Sequence, residues 1–190
     1  MKIIITIMLL VIININAGTL PNFDNSQKTC NSGSARECYN LAVFYAKGIG
    51  VKQSYFKAKE MFGRACDLGD ANGCYNLGVF YTEGTGVKQS YFKAKKLFKK
   101  ACNKGNYLGC FNLGIFYAKG FGTKQSYFNA KEMYQRACDL GYAAGCYNVG
   151  VYFDEGLGVR QNYYRAKEMF GKACDGGYER GCRGYANLRE

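Results

Sequence analysis

The stretch from Gly69 to Lys104, GDANGCYNLGVFYTEGTGVKQSYFKAKKLFKKACNK, decides the fold, because the chain restates it before and after. Two helices can be read within it. Ala71 to Thr82 carries Leu77, Phe80 and Tyr81 at helical spacing, with Gly78 as a small contact point. Gly84 and Gly86 break that helix, since glycine tolerates the backbone angles a helix end requires. Ser90 is placed to cap the next helix by accepting from its first free amides. That helix runs from Tyr91 to about Asn103, with Ala94, Leu97, Phe98 and Ala101 on one face, and Gly105 closes it. Lys93, Lys95, Lys96, Lys99 and Lys100 cover its other faces.

The unit is therefore a helix-turn-helix hairpin. Full copies occupy 33–68, 69–104, 105–140 and 141–176; a partial, capping copy fills 177–190, and 18–32 forms an N-terminal cap segment. A fixed period of 36 residues implies stacked units that bury each other's apolar faces. The expected architecture is all-α: a right-handed αα-hairpin solenoid of about nine helices.

The cysteines follow the same period. They stand at 30, 38, 66, 74, 102, 110, 138, 146, 174 and 182, in pairs eight positions apart. Pairing inside each hairpin would strand Cys30 and Cys182. Pairing across each eight-residue step uses all ten: Cys30–Cys38, Cys66–Cys74, Cys102–Cys110, Cys138–Cys146 and Cys174–Cys182. Each bridge then clamps one hairpin to the next. Structural zinc is a poorer reading, since zinc cysteines usually stand two to four residues apart.

Composition narrows the function. The chain has 190 residues, a formal charge of +12, 48% hydrophobic residues and no histidine. That excludes a Ser-His-Asp triad, a Cys-His dyad and any His-ligated metal, and no cofactor is expected. The N-terminus reads as an export signal over 1–17: Lys2, an apolar run of eleven residues from Ile3 to Ile13, and a small-residue exit at Ala17. Eleven apolar residues are too few for a bilayer span, so no stable membrane anchor is expected, and the mature chain starts at Gly18 in the periplasm or outside the cell.

The run Leu77-Gly78-Val79-Phe80-Tyr81, followed by Gly84-x-Gly86-Val87 and Ala94-x-x-x-Phe98, resembles the Sel-one-like repeat, a relative of the tetratricopeptide repeat. With paired cysteines in every copy and the export signal, the chain resembles the secreted cysteine-rich proteins of Helicobacter and its relatives. The resemblance implies an αα-solenoid, secretion and disulfides at this spacing. It also implies binding and slow hydrolysis of β-lactams, and the wider repeat class implies protein–protein interaction.

Two candidate sites follow. Ser54-Tyr55-Phe56-Lys57 and Ser90-Tyr91-Phe92-Lys93 read S-x-x-K, the spacing by which serine β-lactamases place a lysine one turn from the nucleophile. Tyr185-Ala186-Asn187 resembles their Y-x-N element, and nothing reads as K-T-G. The same serines recur where each second helix needs a cap, and the pattern breaks at Asn129 and Asn162.

The second candidate is Asn40, Asn76, Asn112 and Asn148, at one place in the first helix of every copy. Their amides would form a ladder on the concave face, matching the donor and acceptor of an extended peptide. A repeated inter-helix hydrogen bond explains them equally well.

Phe44, Phe80, Phe116 and Phe153, and Phe62, Phe98, Tyr134 and Phe170, are expected in the core, with Ala42, Gly78, Gly114 and Gly150 at close helix approaches. Positions that vary between copies, Arg36-Glu37, Asn72-Gly73, Leu108-Gly109, Ala144-Gly145 and Arg180-Gly181, are where a particular partner would be read. The expected partner is a peptide or protein, with a β-lactam or cell-wall-derived ligand as the alternative. The basic charge, including Lys57, Lys59, Lys93 and Lys95, fits a solvated face or an anionic partner, and nucleic acid least of all.

Overall fold

The computed structural model describes residues 22–188. The export signal expected over 1–17 and the first residues of the cap segment lie outside them. The described residues form ten helices and no strand: α1 Phe23–Asn31, α2 Ala35–Lys47, α3 Tyr55–Asp67, α4 Ala71–Glu83, α5 Tyr91–Asn103, α6 Tyr107–Lys119, α7 Tyr127–Asp139, α8 Ala143–Glu155, α9 Tyr163–Asp175 and α10 Glu179–Asn187.

Nine helices were expected and ten are found. The addition is α1, which of the invariant residues of the repeat pattern shares only Cys30. Asn22 caps it by accepting from the Asp24 amide. Its Phe23 ring seats edge-on against Phe44 and Tyr45, with centroids 6.0 and 5.5 Å away.

Even-numbered helices are the first helices of each hairpin, and odd-numbered ones from α3 onward are the second. Five disulfides join the end of each odd-numbered helix to the start of the next, with Cα–Cα distances of 4.5–4.6 Å. No described cysteine is free.

An aromatic spine runs along the stack. Within hairpins Tyr39 meets Phe62 at 5.7 Å, Tyr75 meets Phe98 at 5.9 Å, Phe111 meets Tyr134 at 5.3 Å and Tyr147 meets Phe170 at 5.5 Å. Between hairpins Phe62 meets Phe80 at 5.5 Å, Phe98 meets Phe116 at 5.2 Å and Tyr134 meets Tyr152 at 5.6 Å. One expected core assignment shifts: counting by the period from Phe116 reaches Tyr152, not Phe153. Both are buried, but Tyr152 is the spine member and Phe153 stands where earlier copies have Tyr45, Tyr81 and Tyr117. Phe44, the first of the set, is only half-buried; among the described residues one short helix, α1, precedes its hairpin.

The third step of the spine carries two buried hydroxyls where the other steps have rings alone. The two phenols are neighbours, and burial raises both pKa values, that of Tyr152 from 10.0 to about 12. A raised tyrosine pKa means that folding favours the neutral phenol. Its stabilising contribution is whole below pH 10.0 and is lost as pH climbs through about 12. Phenylalanine already fills these positions in other copies, so Tyr134→Phe/Tyr152→Phe should fold. Urea midpoints measured between pH 9 and 12 should fall less steeply for this variant than for the wild type, over the window those shifts define. Equal slopes would mean that the two hydroxyls titrate alike in folded and unfolded chains.

Candidate functional site

The first helices α2, α4, α6 and α8 each present an asparagine at their sixth residue, where α10 has Gly184. Asn76 is 8% exposed, while Asn40, Asn112 and Asn148 are half-buried. Three Nδ2 groups donate to the carbonyl one turn back in their own helix: Asn76 to Asn72 at 2.9 Å, Asn112 to Leu108 at 3.0 Å and Asn148 to Ala144 at 2.9 Å. Asn40 instead donates to Glu37 Oε2 at 3.3 Å.

Asn76 and Asn112 also act on a tyrosine of the preceding first helix, Tyr39 and Tyr75 respectively, each amide lowering the pKa of its phenol. Burial raises both tyrosine pKa values, and the asparagine bond partly offsets the rise. For Asn148 the corresponding residue is Phe111, which has no hydroxyl. Each asparagine thus has a donor engaged within the scaffold, and in Asn76 and Asn112 the Oδ1 acceptor is free to take a bond from a ligand.

Asn76 lines a cavity of about 430 Å³ whose apolar walls include Val43, Ala46, Phe62 and Phe80. Lys47 and Glu83 bring one charge of each sign to the same space. It can take an apolar side chain while Asn76 contacts the backbone that carries it.

The S-x-x-K serines are the N-caps of α3 and α5, and Gln53 and Tyr55 on either side of Ser54 line the same cavity as Asn76. Ser54 Oγ accepts from the Lys57 amide at 3.3 Å and Ser90 Oγ from the Lys93 amide at 3.4 Å. Ser126 and Asn162 do the same for α7 and α9. The Lys57 and Lys93 ammonium groups lie over the Tyr45 and Tyr81 rings, each 5.2 Å from the centroid. Among the described residues no cluster of three His, Cys, Asp or Glu side chains could hold a metal ion.

The Sel1 repeat family model matches residues 38–70, 71–106, 108–142 and 143–178, most of the chain. The chain belongs to the Sel1 repeat family. It is similar to c5321 of uropathogenic Escherichia coli, described as a protective antigen displaying an SLR fold: 30% identity and a TM-score of 0.82, over 86% of this chain and 35% of that one. It is also similar to Helicobacter pylori cysteine rich protein B, with 31% identity and a TM-score of 0.54 over 67% of this chain and 91% of that one. A Sel1 repeat protein from Oxalobacter formigenes, 20% identical with a TM-score of 0.76, covers 87% of this chain and 66% of its own, and shares the fold. The chain thus spans 35% of the E. coli protein and 66% of the Oxalobacter one. No curated protein matches it.

Sel1 repeats are protein-interaction scaffolds, and this one is held by disulfides, which persist in oxidising, extracytoplasmic compartments. No helix of the described residues is long and apolar enough to cross a membrane.

Within the Sel1 hairpins, the set of positions read as partner-facing needs correction. A Cβ at Gly73 would fall 2.7 Å from Ala65 Cβ and 2.9 Å from the Cys66 amide nitrogen, and Gly109, Gly145 and Gly181 are equally crowded. These glycines admit the preceding helix and are set by the scaffold. Glu37 stands at that place in the first copy because the helix before it presents Ser26, fully buried, whose hydroxyl donates to Glu37 Oε2 at 2.6 Å.

A further set went unread. Gln53, Gln89, Gln125 and Gln161 recur at the period, and each donates Nε2 to a carbonyl at the end of its first helix, Ala46, Thr82, Ala118 and Asp154, at 2.6–2.8 Å. They fix the Sel1 hairpin turn. Their recurrence was the available signal.

Proposed function

We propose that the protein is an exported, disulfide-stapled Sel1 scaffold that holds an extended segment of a protein partner along the concave face made by α2, α4, α6 and α8. The supporting observation is the apolar cavity beside Asn76: a side-chain-sized space with an amide acceptor at its wall, on a face where the same amide recurs at each step. Charges of both signs at that cavity favour a segment with an apolar residue flanked by polar ones over a purely acidic or basic one. Residues 1–17 would direct the chain to the periplasm or beyond.

The test is selection of peptides from a displayed library on the oxidised protein, followed by affinity measurement on Asn76→Ala/Asn112→Ala. Losing two hydrogen bonds to the peptide backbone should weaken binding by about tenfold or more, measured at a temperature where the variant, which also loses the internal bonds of these amides, is still fully folded. Unchanged affinity would assign these amides wholly to the scaffold.

A further inference from the structure

The second helices expose a row of rings that the core does not use. Phe56, Phe92, Phe128 and Tyr164 occupy the second position of α3, α5, α7 and α9, and are 65%, 54%, 57% and 83% exposed. Isolated exposed rings are ordinary, but one at the same place in every repeat forms a patch. The glycine turns show that these helix starts line one edge. A Cβ at Gly122 would meet the Phe92 amide nitrogen at 2.6 Å and one at Gly158 the Phe128 amide nitrogen at 2.5 Å, so each turn rests on the start of the preceding second helix.

The same edge is basic. Lys52, Lys88, Lys124 and Arg160 are exposed just ahead of the rings, and Lys59, Lys95, Lys131 and Lys167 follow three residues after them. Lys59 Nζ lies 5.0 Å from the Phe56 ring and Lys96 Nζ 4.5 Å from that of Phe92. None of the four helices has an acidic residue in its first turn. Helix ends of this polarity favour carboxylates and disfavour lysine, so the pattern runs against local helix electrostatics. The adjoining first helices end on Lys47, Glu83, Lys119 and Glu155, which cancel.

Protruding phenylalanines are satisfied only by an apolar phase, and the ammonium groups around them by fixed anions. Three of the four rings lack the hydroxyl that a polar protein or glycan surface would engage. The row stands proud of the surface instead of lining a groove, so its partner must be broad and itself unenclosing. We infer that the edge formed by the starts of α3, α5, α7 and α9 docks the protein peripherally on an anionic lipid surface. The rings enter the headgroup boundary and the Lys and Arg side chains meet lipid phosphates. The face of the first helices stays free for a partner.

The test is flotation of the oxidised protein with phosphatidylcholine vesicles, with and without phosphatidylglycerol, at low and high salt. Binding should require phosphatidylglycerol and weaken with salt. Lys52→Gln/Lys88→Gln/Lys124→Gln should lower it by about a hundredfold, against a much smaller loss for Lys99→Gln/Lys104→Gln/Lys172→Gln, which removes equal charge from the opposite helix ends. Phe56→Ser/Phe92→Ser/Phe128→Ser should lower binding by about tenfold or more at unchanged melting temperature.

Absence of binding at low salt overturns the inference, as does equal binding by the serine variant, which would leave only the diffuse attraction of a basic chain. Poly-glutamate captured through these same residues, with vesicles ignored, would give the edge to an acidic polypeptide instead.

Discussion

Reduced and alkylated, the protein is expected to lose its cooperative thermal transition, whereas the oxidised protein melts as a folded unit. Each bridge closes a loop of eight residues and so contributes about 2.5 kcal/mol through the entropy of the unfolded chain. The five sit at successive hairpin junctions and share no partners, so their effects add. Together they supply about 12 kcal/mol, comparable with the whole net stability of a typical domain at about 5–15 kcal/mol.

Position within the stack grades the effect. A solenoid is held by neighbour contacts, so Cys102→Ala/Cys110→Ala cuts the array at its middle, while Cys174→Ala/Cys182→Ala frees only α10. The central pair should lower the unfolding midpoint in urea much more than the terminal pair. A reduced chain melting within a few degrees of the oxidised one would show that packing alone sustains the stack.

Recurrence made the fold legible. A pattern restated every 36 residues separates scaffold from accident, so the hairpins, the disulfide pairing, the helix caps and most of the spine could be read before any geometry. What lay outside the recurrence was lost. Of the invariant residues of the pattern α1 shares only Cys30, and the buried Ser26–Glu37 bond stands where later copies pack an aromatic ring and a glycine. Phe153 is in the core as expected, but its alignment with Phe116 slipped by one residue where two aromatics stand side by side and only the count of thirty-six picks Tyr152 as the spine member.

Recurrence also blurs roles. The asparagines repeat whether they hold the scaffold or a ligand, and only geometry shows their donors already engaged. Phe62 and Phe56 are both recurrent aromatics on one helix, yet one is 3% exposed and the other 65%. Residues six apart lie on different sides of a helix, but the sequence does not say which side meets solvent when a neighbour packs on both flanks.

Gly122→Ala should destabilise the protein far more than Gly50→Ala, although the two glycines hold the same place in the first and third turns of the array. Both adopt left-handed backbone, with φ of 60° and 68°, so an alanine carries the same conformational penalty of about 1–2 kcal/mol at either site. Their surroundings differ. At Gly50 a new Cβ meets nothing within 4 Å among the described residues. At Gly122 it would fall 2.6 Å from both the Tyr91 carbonyl carbon and the Phe92 amide nitrogen. Those are backbone atoms at the start of α5, and no side-chain rotation relieves the overlap. The turn must lift off the preceding hairpin, adding an overpacking cost of about 1–3 kcal/mol. Urea midpoints at equal m-values should therefore place Gly122→Ala below Gly50→Ala by that difference, and Gly158→Ala, crowded against Phe128 and Tyr127, beside Gly122→Ala. Equal midpoints for all three would mean that backbone conformation alone requires the turn glycine. A gap would show that the stacking of one turn on the next helix start, the contact that aligns the exposed rings, is what demands it.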